Sequence, residues 1–248
     1  TTTNLSDIVR QVGGDNVVVE SLCKGTQDPH FLEAKPSYTF KLSKADLLVS
    51  VGADLEVGWL SLVVRGSRNP KLRVGEKGRL VASQYVDMLG INKENISRSE
   101  GDVHPEGNPH FMLSPLKSID VAKALRDKLK SLDSKNSLDF DKNTAIYETK
   151  ILNMMKKWQQ KIKKGTKVIS YHKTLTYFYN DFGIINVDVL EPRPGIPPTA
   201  SHILNIISKA KKMNINKIII ENYFDDTVAR RIQQEIPGIS IHTVPVAV

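Results

Sequence analysis

SLDFDKNTAIYETKILNMMKKWQQKIKK, residues 137–164, decides the fold. Phe140, Tyr147, Ile151, Met154, Met155, Trp158 and Ile162 recur mostly three or four residues apart, the spacing of one helix face. Neither Pro nor Gly interrupts the run. A helix this long exceeds the ordinary length in a globular domain. The stretch therefore predicts a rigid strut able to span two lobes. Its methionines and tryptophan read as core side chains rather than as a cofactor box.

On both sides of the strut the chain alternates strand-like and helix-like segments. Before it come NVVVESLC (16–23) as a strand, KPSYTFKLSKA (35–45) as a helix, DLLVSVG (46–52) as a buried strand, and SIDVAKALRDKLKSL (118–132) as a helix. After Gly165 the alternation restarts. KVISYH (167–172), INVDVLEP (185–192), KIIIEN (217–222) and SIHTVPVAV (240–248) read as strands separated by three helical segments. The pattern predicts an α/β fold: two β/α lobes with parallel sheets joined by one long helix. The expected boundaries are 1–138 for the first lobe, 139–164 for the linking helix and 165–248 for the second lobe.

The 248 residues are 40% apolar and 25% charged, a globular balance that lets each lobe bury a core. No run of eighteen apolar residues is present. The net charge of +8 raises the question of nucleic acid. Much of the lysine, however, lies in MMKKWQQKIKKGTK and ISKAKKMNINK, at helix ends and on polar helix faces, where it suits the helix dipole. No recognition motif accompanies it, so nucleic acid is excluded as a partner. The single cysteine, Cys23, reads as a small buried hydrophobe.

The chain has six histidines. His172 ends the strand VISYH, and ligands of open α/β sheets bind beyond the carboxyl ends of strands. His30 follows the turn KGTQDP, and His110 lies in the Gly/Pro-rich loop GDVHPEGNPHF (101–111) just before a helix start. Prolines before His30 and His110 restrict the backbone that presents each ring. Neutral imidazole is a common ligand of zinc and is accepted by manganese and iron. There is no HExxH, CxxC or helical i,i+4 histidine pair, so spacing alone does not establish a metal site. His202, in a helix, and His242, in a strand, are assigned structural roles. His104 is assigned to the surface, with an accessory-ligand role as the alternative.

Four blocks in order carry a resemblance: GTQDPHFLEAKPSYTFKLSKADLLVSVGADLEVGWL (25–60), GNPHFMLSP (107–115), VISYHKTLTYFYNDFGI (168–184) and EPRPGIPPTASHI (191–203). Together they resemble the substrate-binding proteins of bacterial ABC importers for zinc, manganese and related metals, along essentially the whole chain. The resemblance implies a metal site in the cleft between the lobes, with ligand roles at His30, His110 and His172. It implies capture of a divalent metal ion outside the cytoplasm, as a periplasmic or membrane-associated extracellular protein, and delivery to a membrane permease without catalysis. Three imidazoles favour zinc, with manganese and iron as alternatives. A monomer is expected.

The sequence also departs from that pattern. Many relatives supply a carboxylate just after the final strand, where this chain reads HTVPVAV and stops; the family's usual last helix is expected to be missing. Glu221, at the end of KIIIEN, is the candidate fourth ligand, with water as the alternative. The family's LDP after the second ligand is LSP here, so Ser114 is expected to brace the site more weakly. Besides His104, the 101–107 loop offers Asp102 and Glu106 near the cleft. Two other functions use the same residues: a zinc-dependent hydrolase with Glu221 as general base, and a metal-binding surface adhesin. A nucleotide-binding enzyme lacks its GxGxxG after the first strand.

Overall fold

The computed structural model describes residues 1–91, 104–191 and 195–247. In chain order the elements are α1 (Thr3–Gly13), α2 (Pro36–Ser43), β1 (Leu48–Ser50), α3 (Leu60–Gly66), β2 (Arg79–Val81), α4 (Pro115–Leu132) and α5 (Ser137–Lys161). They continue with β3 (Lys167–Ser170), α6 (Thr176–Phe182), β4 (Ile185–Val189), α7 (Ala200–Lys212), β5 (Lys217–Glu221), α8 (Thr227–Glu235) and β6 (Ser240–Val244). The chain is α/β, and every strand pair is parallel. Among the described residues, no helix is long and apolar enough to cross a membrane.

The first half holds a two-stranded sheet, β1–β2, packed with α1, α4 and α5 around Leu5, Val51, Leu80, Leu125 and Phe140. The second half holds a four-stranded sheet in the order β4–β3–β5–β6, with a core of isoleucines that includes Ile169, Ile206, Ile218 and Ile232. Its strand order reverses at β3, since β4 lies on one side and β5 and β6 on the other. The carboxyl ends of β3 and β5 therefore flank the crevice where ligands of doubly wound sheets bind.

The long helix forms as its periodicity predicts. Phe140 and Tyr147 enter the first core, while the Trp158 ring packs 6.4 Å from Phe178 and 6.0 Å from Phe182 on α6. One element thus touches both halves. Ile162 leaves it in an extended conformation, and Gly165, at φ +78°, turns the chain into β3. A second tie is Tyr177 of α6, which sits in the first core. Its hydroxyl accepts from Leu89 N and donates to Asn108 O, each at 2.8 Å.

The segment 16–23 departs from expectation, because it forms no strand. Val17 and Val19 do turn inward onto the first core and Val18 is fully exposed, so the alternation is present. What is missing is a ladder. Leu22 N and Cys23 N both donate to Thr1 O, and the Arg10 guanidinium donates to Val19 O. Strand propensity describes a fit to a pleated surface and does not create the neighbouring strand. Cys23 is buried, as read, though in a bend and not in a strand. Helices α1 and α3 and strand β2 were not legible from periodicity.

Candidate metal centre

The first histidine is placed by its own tripeptide. Asp28 caps a single 3₁₀ turn, Pro29–Phe31: its carboxylate accepts from His30 N at 3.0 Å and from His30 Nδ1 at 2.6 Å. Pro29 suits the first position of that turn because its missing N–H would be unsatisfied there. The Trp59 indole pins the turn from behind by donating to Pro29 O at 2.9 Å. Burial works against ionisation of Asp28. The hydrogen bond and charge of His30 outweigh it and hold the carboxyl below its ordinary range.

His110 opens a one-turn helix (His110–Leu113) directly before α4, and its N–H donates to the Asn108 side chain at 2.9 Å. Asn108 belongs to both halves, since its amide also donates to Lys173 O at 2.9 Å. His172 lies two residues past β3, at the strand-order reversal. Its Nδ1 is 2.7 Å from Glu191 Oε2, and the other Glu191 oxygen accepts from Gly195 N at 2.9 Å. Carboxylate partners on Nδ1 turn Nε2 of His30 and His172 towards the centre, the arrangement that orients metal-binding imidazoles.

The three rings converge. Their centroids are 5.2 Å apart for His30–His110, 5.3 Å for His110–His172 and 6.1 Å for His30–His172. One donor nitrogen from each lies within 4.8 Å of the other two. All three are at least nine-tenths buried. Burial pushes the His110 imidazole well below its usual pKa, and the charges of His30, His172 and His104 push it further. It is held neutral, with its lone pair available. His110 Nε2 is buried and has no hydrogen-bond partner, a costly state for a polar atom unless something binds it. A cavity of about 60 Å³ touches His110 beside Thr174 and Tyr223, and neither His30 nor His172 lines it. A larger groove of about 460 Å³ along α4, lined by Tyr85, Lys123 and Asp127, holds none of these histidines.

The other expected residues fall differently. Glu221 is fully buried at the end of β5, both carboxylate oxygens lack a hydrogen-bond partner, and burial raises its pKa. It is not among the donors that lie within 4.8 Å of one another. Ser114 caps α4, accepting from Lys117 N and donating to Asp181 at 2.6 Å, so it supports the helix and not a ligand. Glu106 is exposed, and Asp102 lies outside the described residues.

His104 is not at the surface, because its Nε2 stands 3.2 Å from His30 Nε2. His202 is structural, bonding Val189 O at 2.9 Å. Sequence reasoning missed the orienting carboxylates. Asp28 stood in the DPH motif, and Glu191 follows a strand end, the same signal that selected His172.

Residues 1–247 match the family described as zinc-uptake complex component A, periplasmic. Among curated proteins, the manganese ABC transporter substrate-binding lipoprotein PsaA of Streptococcus pneumoniae is 24% identical over 243 residues, covering 94% of this chain and 75% of its own. The metal ABC transporter substrate-binding lipoprotein FimA of Streptococcus parasanguinis matches equally. Among solved structures, a crystal structure of ZnuA superposes with TM-score 0.83 at 23% identity, covering 100% of this chain and 90% of the other. The binding protein FpvC of Pseudomonas aeruginosa with Mn2+ gives 0.82 at 21% identity, with 99% and 86% covered. At these identities the structural likeness speaks to the fold.

Proposed function

The chain belongs to the family of periplasmic zinc-uptake component A proteins, and on that premise we propose that it captures a divalent transition-metal ion outside the cytoplasm and delivers it to the permease of an ABC importer. The ion is cargo, so no step of chemistry is asked of the site. Zinc is the first cargo, held by His30, His110 and His172. The observation that carries the reading is the buried His110 Nε2, which faces two further imidazoles and has no partner of its own. Nitrogen donors suit zinc, whereas manganese sites draw more on oxygen. The relatives' names include both metals.

Glu221, the expected fourth ligand, is fully buried and outside the group of mutually close donors, so it would have to move to reach the ion. The protein works as a monomer, periplasmic or held at the outer face of a membrane. Catalysis is not part of the family's role, which removes the hydrolase alternative.

Calorimetry on chelator-stripped protein tests the proposal, with zinc, manganese and iron titrated separately and in competition. One ion per chain is expected, with zinc displacing the others. Each histidine-to-alanine change should weaken binding severely. Unchanged affinity in the triple variant would overturn the assignment.

A further inference from the structure

Resting on the metal-capture reading above, we infer that His104 is a fourth imidazole ligand, closing a tetrahedral all-nitrogen site that favours zinc over manganese.

Distance is the first argument. Two nitrogens bound to one tetrahedral zinc, each about 2.0–2.1 Å from it, stand about 3.3 Å apart. His104 Nε2 and His30 Nε2 are 3.2 Å apart, already at that separation. The ring also lies near His110, with centroids 6.5 Å apart and the planes nearly perpendicular at 87°. His104 is not among the three residues whose donors all lie within 4.8 Å of one another, so its approach to His30 is the one contact already at the bonded separation, and a small shift of the turn would bring it to the others.

Proton arithmetic is the second. Asp28 accepts the hydrogen bond of His30 Nδ1–H, and in that tautomer of the neutral ring Nε2 carries the lone pair. The His104 nitrogen facing it must then donate. A divalent ion arriving between them takes the lone pair of His30 Nε2, and takes that of His104 Nε2 once the His104 proton has moved from Nε2 to Nδ1, so that both rings bind as neutral imidazoles. The contact is an imidazole pair that an ion can divide.

The third argument is that the segment bearing His104 is built. His104-Pro105-Glu106-Gly107 is a β-turn, closed by Gly107 N donating to His104 O at 3.1 Å, with Pro and Gly at the positions such turns prefer. Gly107 has φ +117°, and a Cβ there would stand 2.8 Å from Met88 Cβ and 3.1 Å from Leu89 O. Only glycine allows the turn to seat this closely. Asn108 N then fixes the exit by donating to Leu89 O at 2.8 Å. The turn brings the His104 ring to within 5.3 Å of the His30 ring and 6.5 Å of the His110 ring, centroid to centroid.

Consequences for selectivity follow from the donor set. Four imidazoles complete zinc's preferred coordination and leave manganese short of the oxygen ligands it favours. Losing His104 should cost zinc at least about tenfold in affinity. Manganese, which can accept water in its place, should lose less, so the zinc-over-manganese ratio falls.

The test uses the full chain labelled with 15N-histidine, loaded with one equivalent of zinc, beside His104→Gln. Nitrogen chemical shifts report each imidazole nitrogen that binds the ion. Four metal-bound Nε2 signals are expected in the unaltered protein, one of them absent in His104→Gln. Calorimetry on the two proteins should show the tenfold zinc loss and the smaller manganese loss. Three metal-bound imidazoles in the unaltered protein, or equal losses for both metals, would overturn the inference while leaving metal capture intact. If the unaltered protein takes up no zinc at all, the capture reading fails instead. Circular dichroism confirms that the variant folds.

Discussion

Acidifying the metal-free protein should destabilise it through His104, and the size of the loss can be worked out. Burial, with added repulsion from His30 and His172, lowers the His104 pKa from 6.5 to about 4, against an opposing contact with the Ala53 backbone. The folded-state value lies below the unfolded one, so the unfolded chain takes up the proton first. Stability is complete above about pH 6.5 and falls as pH drops, until the folded ring also protonates near pH 4. Between pH 7 and pH 5 the linkage integral for such a shift is about 2 kcal/mol. Because the ring keeps some contact with water, about 1–2 kcal/mol is the expected loss.

His110 acts in the same direction, whereas the raised pKa of Glu221 acts in the opposite one. The assay must therefore subtract their contributions. Urea unfolding of protein and His104→Gln, both held in chelator at each pH, does so. The unaltered protein should lose about 1–2 kcal/mol more than the variant over this interval. Equal losses would mean that His104 is solvated in the folded state, and the packing described for it would be wrong.

Other outcomes follow from the same geometry. Glu191→Gln weakens the hold on His172 Nδ1, so zinc affinity should fall by about 10–100-fold with little change in fold, measured by competition with a chelating dye. Phe140→Ala empties a fully buried site in the first core and should cost about 3–5 kcal/mol. Leu138→Ala, two residues away but exposed, should stay within about 0.5 kcal/mol in the same denaturant titration. Because α5 has no internal Pro or Gly and touches both halves, metal binding should proceed with small tilts only. Small-angle scattering showing a large contraction on zinc addition would refute the rigid strut.

What the sequence settled was set by local chemistry. The strut from Phe140 to Trp158 showed because helical periodicity repeats over many turns and errors average out. The second-half alternation showed because each strand is an apolar run closed by a turn residue, such as Gly183 in the left-handed region after α6. His30, His110 and His172 stood out through rarity, flanking prolines and strand ends. Tertiary structure decided the rest. Whether Val17–Val19 pairs depends on a neighbouring strand that local propensity cannot supply. Glu221 and His104 are placed differently from expectation for a related reason. A strand end points towards the crevice but does not fix a side chain's depth, and Glu221 is fully buried and outside the group of mutually close donors. A loop histidine has no period to reveal its partner. Only the closed turn at Gly107 and the anchors of Asn108 carry His104 across 74 residues of chain to within 3.2 Å of His30.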